Sequence, residues 1–213
     1  VAILIAGLVA AAILLILPRF LGRRHELMLR QYEVLEKRFG LSKRVTQSRW
    51  GKGIGERCSL HGDSRGYPLS LYDHFVKGEG GKQEWTSLVL EALFAGDIEF
   101  LMEFEGTQEG ARFDRPQRFQ VKGLYSGATV FSSDSLKDVF EDEAVVKRLE
   151  FLSKQSVCGS VRLNKGFLEY REVGVVVSEV QRLRFQEAIL MLATLCDRLS
   201  LYASEKKSAQ ADA

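Results

Sequence analysis

Cysteine is scarce. The 213 residues hold three, Cys58, Cys158 and Cys196. An odd number at such wide spacing gives no disulfide framework, and a reducing compartment fits. Histidine is equally scarce, at 25, 61 and 74. This limits what GDSRG at 62–66 can do, although it fits the pattern G-x-S-x-G. In a nucleophile elbow the serine joins a strand to a helix, and its acid and histidine follow much later in the chain. Here Tyr67 and Pro68 lead into a second strand, and the only later histidine is His74, beside Asp73. The stretch reads as a hairpin turn built on Asp63, Ser64 and Gly66. Cys58 and His61 form C-x-x-H, but zinc usually draws on four ligands. Cys196 falls in an apolar helical stripe, where cysteine packs as core.

Phosphate-binding signatures are missing too. WGKGIGER at 50–57 carries glycines at 51, 53 and 55. It lacks the G-K-[ST] of a P-loop, and the preceding strand and following helix of a dinucleotide fingerprint. The acidic residues Glu141, Asp142 and Glu143 fall at a helix break, and Glu99, Glu103 and Glu105 alternate with apolar neighbours as the wet side of a strand. General acid–base work needs two such groups in one cleft, which one sequence does not display. The expectation is a chain with no catalytic, cofactor or metal residues.

A strong excess of one charge is also absent: the net is +2. It hides an asymmetry. Residues 19–57 carry 11 Lys/Arg against 4 Asp/Glu, and residues 58–213 carry 19 against 24. Nucleic-acid binding needs a basic face on the folded domain. The distal part is slightly acidic, so nucleic acid is not an expected partner.

What the chain does have is a long apolar opening, VAILIAGLVAAAILLIL, with no polar side chain from Val1 to Leu17. Pro18 and Arg19 interrupt it before Phe20 and Leu21. At about 1.5 Å per helical residue, roughly 20 residues cross a hydrocarbon core of about 30 Å. A secretory signal places its basic residues first and a small-residue cleavage site after. Here the basic residues follow, and no such site comes after Leu17. Residues 1–22 are therefore read as a transmembrane helix. Positive flanks stay in the cytoplasm, which predicts a single-pass cell-membrane protein with its soluble part on the cytoplasmic side. Arg19, Arg23, Arg24, Lys43, Arg44, Arg49 and Lys52 are the expected contacts with anionic headgroups, about 1 kcal/mol each near the surface.

The remainder predicts an α+β fold. Residues 23–40 form a juxtamembrane helix, because Leu21, His25, Met28, Tyr32, Leu35 and Phe39 follow a heptad seam. The seam serves either a homo-oligomer through residues 21–39 or packing on the chain's own domain. Gly40 looks like a left-handed helix stop, and residues 41–55 read as a basic, Gly-rich linker. The soluble domain spans 56–203. ERCSLHG, YPLSLYDHFV, QEWTSLVLEAL and DIEFLMEFEG are strand candidates separated by turns, with RFQVKGL and ATVFSS after them. Ser133 or Asp134 caps a helical stretch over 134–154 with a break near Asp142. A hairpin turns at Asn164-Lys165-Gly166. Ser178 with Gln181 makes a capping box for a long helix from Glu179 to Ala203. Its stripe of Phe185, Ile189, Leu192, Cys196 and Leu199 makes it the central core helix. Residues 204–213 read as a disordered tail.

F-D-x-x-x-x-F-x-V-x-G at 113–123, with G-x-x-R-G at 62–66 and the leucine-rich terminal helix, resembles uncharacterised bacterial single-pass membrane-anchored proteins with a soluble α+β domain. The resemblance covers 55–200. It implies an inner-membrane location and no activity or site residues. The functional expectation is a non-catalytic interaction or scaffold protein, a subunit of a membrane-associated complex with a protein partner near the bilayer. The alternative is a membrane-tethered ligand-binding or enzymatic domain built on scattered residues such as His61, Asp73, His74 and Arg65.

Overall fold

The computed structural model describes residues 22–46, 57–78, 81–104, 117–124, 127–155 and 159–211. The expected transmembrane segment lies outside the described residues, apart from Gly22. Among the described residues no helix is long and apolar enough to cross a membrane.

The fold is α+β. Helix α1 (22–39) ends at Gly40, whose φ of +64° is the left-handed stop read from the sequence. The turn returns Leu41 N–H to the Glu36 carbonyl at 3.0 Å. The seam residues Met28, Tyr32 and Leu35 are buried within the chain's own core. Next come β1 (Ser42–Thr46), β2 (Arg57–Ser64), β3 (Tyr67–Gly78) and β4 (Gly81–Glu91), an antiparallel meander. A short 3₁₀ turn, Leu93–Ala95, leads to β5 (Phe100–Phe104), β6 (Gln117–Gln120) and β7 (Ala128–Ser132). Helices α2 (Lys137–Glu141) and α3 (Glu143–Ser153) follow, then the hairpin β8 (Gly159–Asn164) and β9 (Phe167–Val173), and finally α4 (Glu179–Ala211).

All these strands form one nine-stranded sheet in the order β1-β2-β3-β4-β9-β8-β5-β7-β6. The longer of two long-range steps, beside β8 against β5, is β4 against β9, which runs from Trp85↔Val173 to Glu91↔Phe167. It seats the last hairpin in the middle of the sheet. Alternate residues of a strand point to opposite faces, and one face is apolar: Leu60, Leu69, Leu71, Leu88, Leu90, Phe100, Met102, Val130, Val161, Leu163, Leu168 and Tyr170 are all buried. The helices cover this face. Phe140 of α2 stacks edge-on against Phe100 at 5.2 Å, and Phe185 of α4 does the same to Tyr170 at 5.4 Å.

Two buried carboxylates tie helices to this face. Tyr32 of α1 donates to Asp73 Oδ1 at 2.8 Å, and Thr86 Oγ1 lies 2.7 Å from the same oxygen. Arg184 of α4 donates through Nε and Nη2 to both oxygens of Glu172, and Tyr170 Oη donates to Glu172 at 2.8 Å. The capping box is present: Gln181 N–H donates to Ser178 Oγ, and Ser178 N–H to Gln181 Oε1, each at 3.2 Å. Asp142 marks the break between α2 and α3. It caps α3 by accepting from the Ala144 and Val145 amides.

Three boundaries are corrected. Residues 42–46, read as part of the linker, are strand β1, exposed along its whole length. Leu41 is buried and turns the chain onto the sheet edge, where Val45 and Thr46 suit an extended backbone. Lys43 and Arg44 guard that edge against further pairing. The rest of the linker, 47–55, lies outside the described residues. The supposed tail is helical through Ala211, because Ser204–Ala211 contains no helix breaker and Lys206 ties back to Asp134. Neither Ser133 nor Asp134 caps α2. Leu136 occupies the cap position without a side-chain bond. Ser133 Oγ instead donates to the Glu99 carbonyl, and the Asp134 amide to Ser132 Oγ.

Candidate functional site on the open face of the sheet

Among the described residues, all helices pack on one side of the sheet. The other side is laid out by strand register. One row crosses it as Tyr72 (β3), Ser87 (β4), Arg171 (β9) and Ser160 (β8); the next as His61 (β2), Ser70, Val89, Glu169 and Arg162. A third, on the side of Tyr72 away from Ser70, pairs His74 with Trp85.

The centre of this face is a fixed charge pair. Glu169 is only 6% exposed. Its Oε2 accepts from Arg162 Nε at 2.5 Å and its Oε1 from Ser87 Oγ at 2.6 Å. Both carboxylate oxygens are thereby satisfied, which a buried charge requires. Beside it, His61 lies between two hydroxyls, Nδ1 at 3.1 Å from Ser70 Oγ and Nε2 at 2.9 Å from Ser59 Oγ. The Arg171 guanidinium sits 5.3 Å over the Trp85 ring, and its Nε donates to Ser160 Oγ at 3.2 Å. The Tyr72 and His74 rings are 5.6 Å apart. Burial pushes the Tyr72 phenol up, helped by the charge of Glu169, and burial pushes the His74 imidazole down. Two buried ring nitrogens on this face, His74 Nδ1 and Trp85 Nε1, have no hydrogen-bond partner among the described residues.

A cleft of about 440 Å³ opens here, within the range of small-ligand sites. Tyr72, Val89, Pro68 and Phe167 give it apolar walls; Arg162, Asn164 and Lys165 form the end at the β8–β9 turn. That turn is made by Lys165 and Gly166 with φ of +51° and +78°, the two-residue hairpin geometry. Gly166 is required twice over: a Cβ there would lie 3.0 Å from Leu93 Cα.

The residues singled out by the sequence are distributed differently. Arg19, Arg49 and Lys52 lie outside the described residues. Arg23 and Arg24 open α1, where Arg24 pairs with Glu84 at 2.7 Å. Lys43 pairs with Glu36 at 3.7 Å on the helix side, and Arg44 projects from the edge strand on the open side. His61 and His74 share the open face, but Asp73 points to the opposite, helix-covered face. Arg65 is at the β2–β3 turn, paired with Asp197 at 2.9 Å. The scattered set therefore does not converge. GDSRG is a hairpin, with Arg65 and Gly66 at φ of +54° and +83°. The C-x-x-H spacing places Cys58 and His61 on opposite sides of β2. The Cys58 and Cys196 thiols are pushed up to about 12 by burial. Among the described residues no group of three or more His, Cys, Asp and Glu side chains could hold a metal. Cys158 and the run 112–116 lie outside the described residues.

Glu169, Arg162 and Ser87 carry no local motif, which is why sequence reasoning passed over them. The period-2 pattern was the available signal: Glu169 and Arg171 alternate with Leu168 and Tyr170, as Ser70 and Tyr72 alternate with Leu69 and Leu71. No protein-family model, no curated protein and no solved structure matches the chain.

Proposed function

We propose that the chain is a membrane-anchored, non-catalytic interaction protein, a subunit of a membrane-associated complex whose protein partner docks on the open face of the sheet. The observation that carries this reading is that, among the described residues, the helices pack on one side of the sheet, while the other side bears Tyr72, Arg162 and the exposed Phe167. Aromatic residues and arginine are the types enriched where proteins bind one another. The apolar stretch Val1–Leu21 would hold the chain on the cell membrane, with the domain on the cytoplasmic side and Arg23 and Arg44 toward anionic headgroups. The cleft favours a second reading, a tethered ligand-binding domain.

A pull-down of the full chain from detergent-solubilised membranes distinguishes them. A stoichiometric protein partner should accompany the wild type and be lost from the open-face variant Tyr72→Ala/Phe167→Ala. Lys147→Ala, on exposed α3 surface, should keep it. A chain that comes out alone, or a partner indifferent to the open-face substitutions, would overturn the protein-docking reading.

A further inference from the structure

We propose that the open-face cleft binds a monocarboxylate carried on an apolar body, with Arg162 receiving the carboxylate. The proposal rests on the open face being the functional face, but it concerns the purified chain and needs no protein partner.

The guanidinium of Arg162 has five N–H donors in a fixed fork. Glu169, directly opposite on β9, takes the Nε edge at 2.5 Å. Among the described residues no hydrogen bond or ion pair engages Nη1 or Nη2. Glu169 is itself immobilised, buried and held by Ser87. The carboxylate therefore orients the arginine without offering a free oxygen to a ligand. The side chain remains 43% exposed and lines the cleft. An arginine fixed through Nε, with both terminal nitrogens unengaged among the described residues, keeps the donors for bidentate contact with a carboxylate. Asn164 and Lys165, at the same end of the cleft, add an amide and a second cation.

The rest of the lining sets the ligand's shape and charge. Tyr72, Val89, Pro68 and Phe167 supply apolar surface for a body attached to the carboxylate. Glu91 is also in the lining. The four ionised groups, Arg162, Lys165, Glu91 and Glu169, balance, so the cleft has no excess positive charge for a dianion. A second negative group would meet Glu91. A small apolar acid and the C-terminus of a polypeptide ending in an apolar residue share this chemistry.

The test is calorimetric titration of the purified full chain with 4-phenylbutyrate and with the peptide acetyl-Ala-Ala-Phe, each as the acid and as the amide. Both sources are expected to bind better as acids than as amides, by about tenfold or more, the loss of one bidentate contact. Tighter binding of the peptide acid would assign the site to polypeptide C-termini, and tighter binding of phenylbutyrate to small acids; either supports the proposal. Arg162→Gln alone leaves Glu169 buried without its partner, so the informative variant is Arg162→Gln/Glu169→Gln, which removes both charges. It should abolish the preference for acid over amide while keeping the wild-type circular dichroism. Phe167→Ser should weaken acid and amide alike. Equal binding of acid and amide, absence of binding by both acids, or a preference for acid that survives in the double variant would overturn the proposal. A failed titration beside a successful pull-down would remove the ligand and leave the docking reading standing.

Discussion

Replacing Arg184 by methionine is expected to destabilise the domain by about 3–5 kcal/mol, the cost of breaking a buried ion pair by removing one partner. Arg184 is 14% exposed and Glu172 5%. Arg184 contacts both oxygens of that carboxylate, and the Tyr170 phenol supplies the third bond at 2.8 Å. Without the guanidinium, Glu172, only 5% exposed, keeps the Tyr170 phenol as its one donor among the described residues. The effect falls on the fold as a whole, because this pair joins α4 to β9 at the middle of the sheet. The double variant Arg184→Met/Glu172→Leu should recover most of the loss, since no uncompensated charge remains. Chemical denaturation of the three proteins, followed by circular dichroism, gives the comparison. A single-variant cost below about 1 kcal/mol, the range of exposed pairs, would contradict the buried placement of Glu172.

Asp73 should behave in the opposite sense: Asp73→Asn is expected to stabilise the protein at pH 7. Burial raises this carboxyl from its ordinary value of 3.8 to about 6, although hydrogen bonds from Thr86 and Tyr32 pull it down. The geometry accommodates the protonated form. Thr86 Oγ1 lies 2.7 Å from Asp73 Oδ1 and 2.8 Å from the Gly174 carbonyl, and its single proton cannot serve both. A protonated Asp73 can donate to Thr86 while Thr86 donates to Gly174. The sign follows from linkage. Between about pH 4 and pH 6 the folded state holds more protons here than the unfolded chain, so stability falls as pH rises. About two pKa units amount to roughly 3 kcal/mol lost by pH 7. Asparagine carries no charge and keeps an oxygen that accepts from Tyr32, leaving the Thr86 proton to one of its two acceptors. The difference in unfolding free energy between Asp73→Asn and wild type, measured from pH 4 to 8, should therefore grow with pH and level off above about 6. A difference that stays flat, or a variant weaker than wild type at pH 7, would contradict this assignment.

The fold was legible where the signal is local. Strand alternation in Leu69–Ser70–Leu71–Tyr72 marks both faces of β3. Ser178 with Gln181 marks the start of α4, Asp142 the break between α2 and α3, and Gly40 the end of α1. The candidate site was not legible, because it depends on β4 pairing with β9. Ser87 and Glu169 are 82 residues apart, joined only by that register and a 2.6 Å hydrogen bond. No spacing rule links them. The two linear patterns that did stand out have structural explanations. GDSRG supplies the positive φ of a tight hairpin, and C-x-x-H on a strand sends its two residues to opposite faces. Polarity misled the reading at Ser42–Thr46 and after Ala203. A sheet edge and the last turns of an exposed helix are also polar, and tertiary contacts from Leu41 and Lys206 decide both.

The measurement that bears most directly on the open face as the functional face is photo-crosslinking in intact membranes. A photoreactive side chain would be placed at Phe167, 46% exposed beside the cleft, and for comparison at Lys147, exposed on α3. The account predicts a discrete crosslinked protein from position 167 and none from 147. The same product from both positions, or a product from 147 alone, would contradict it.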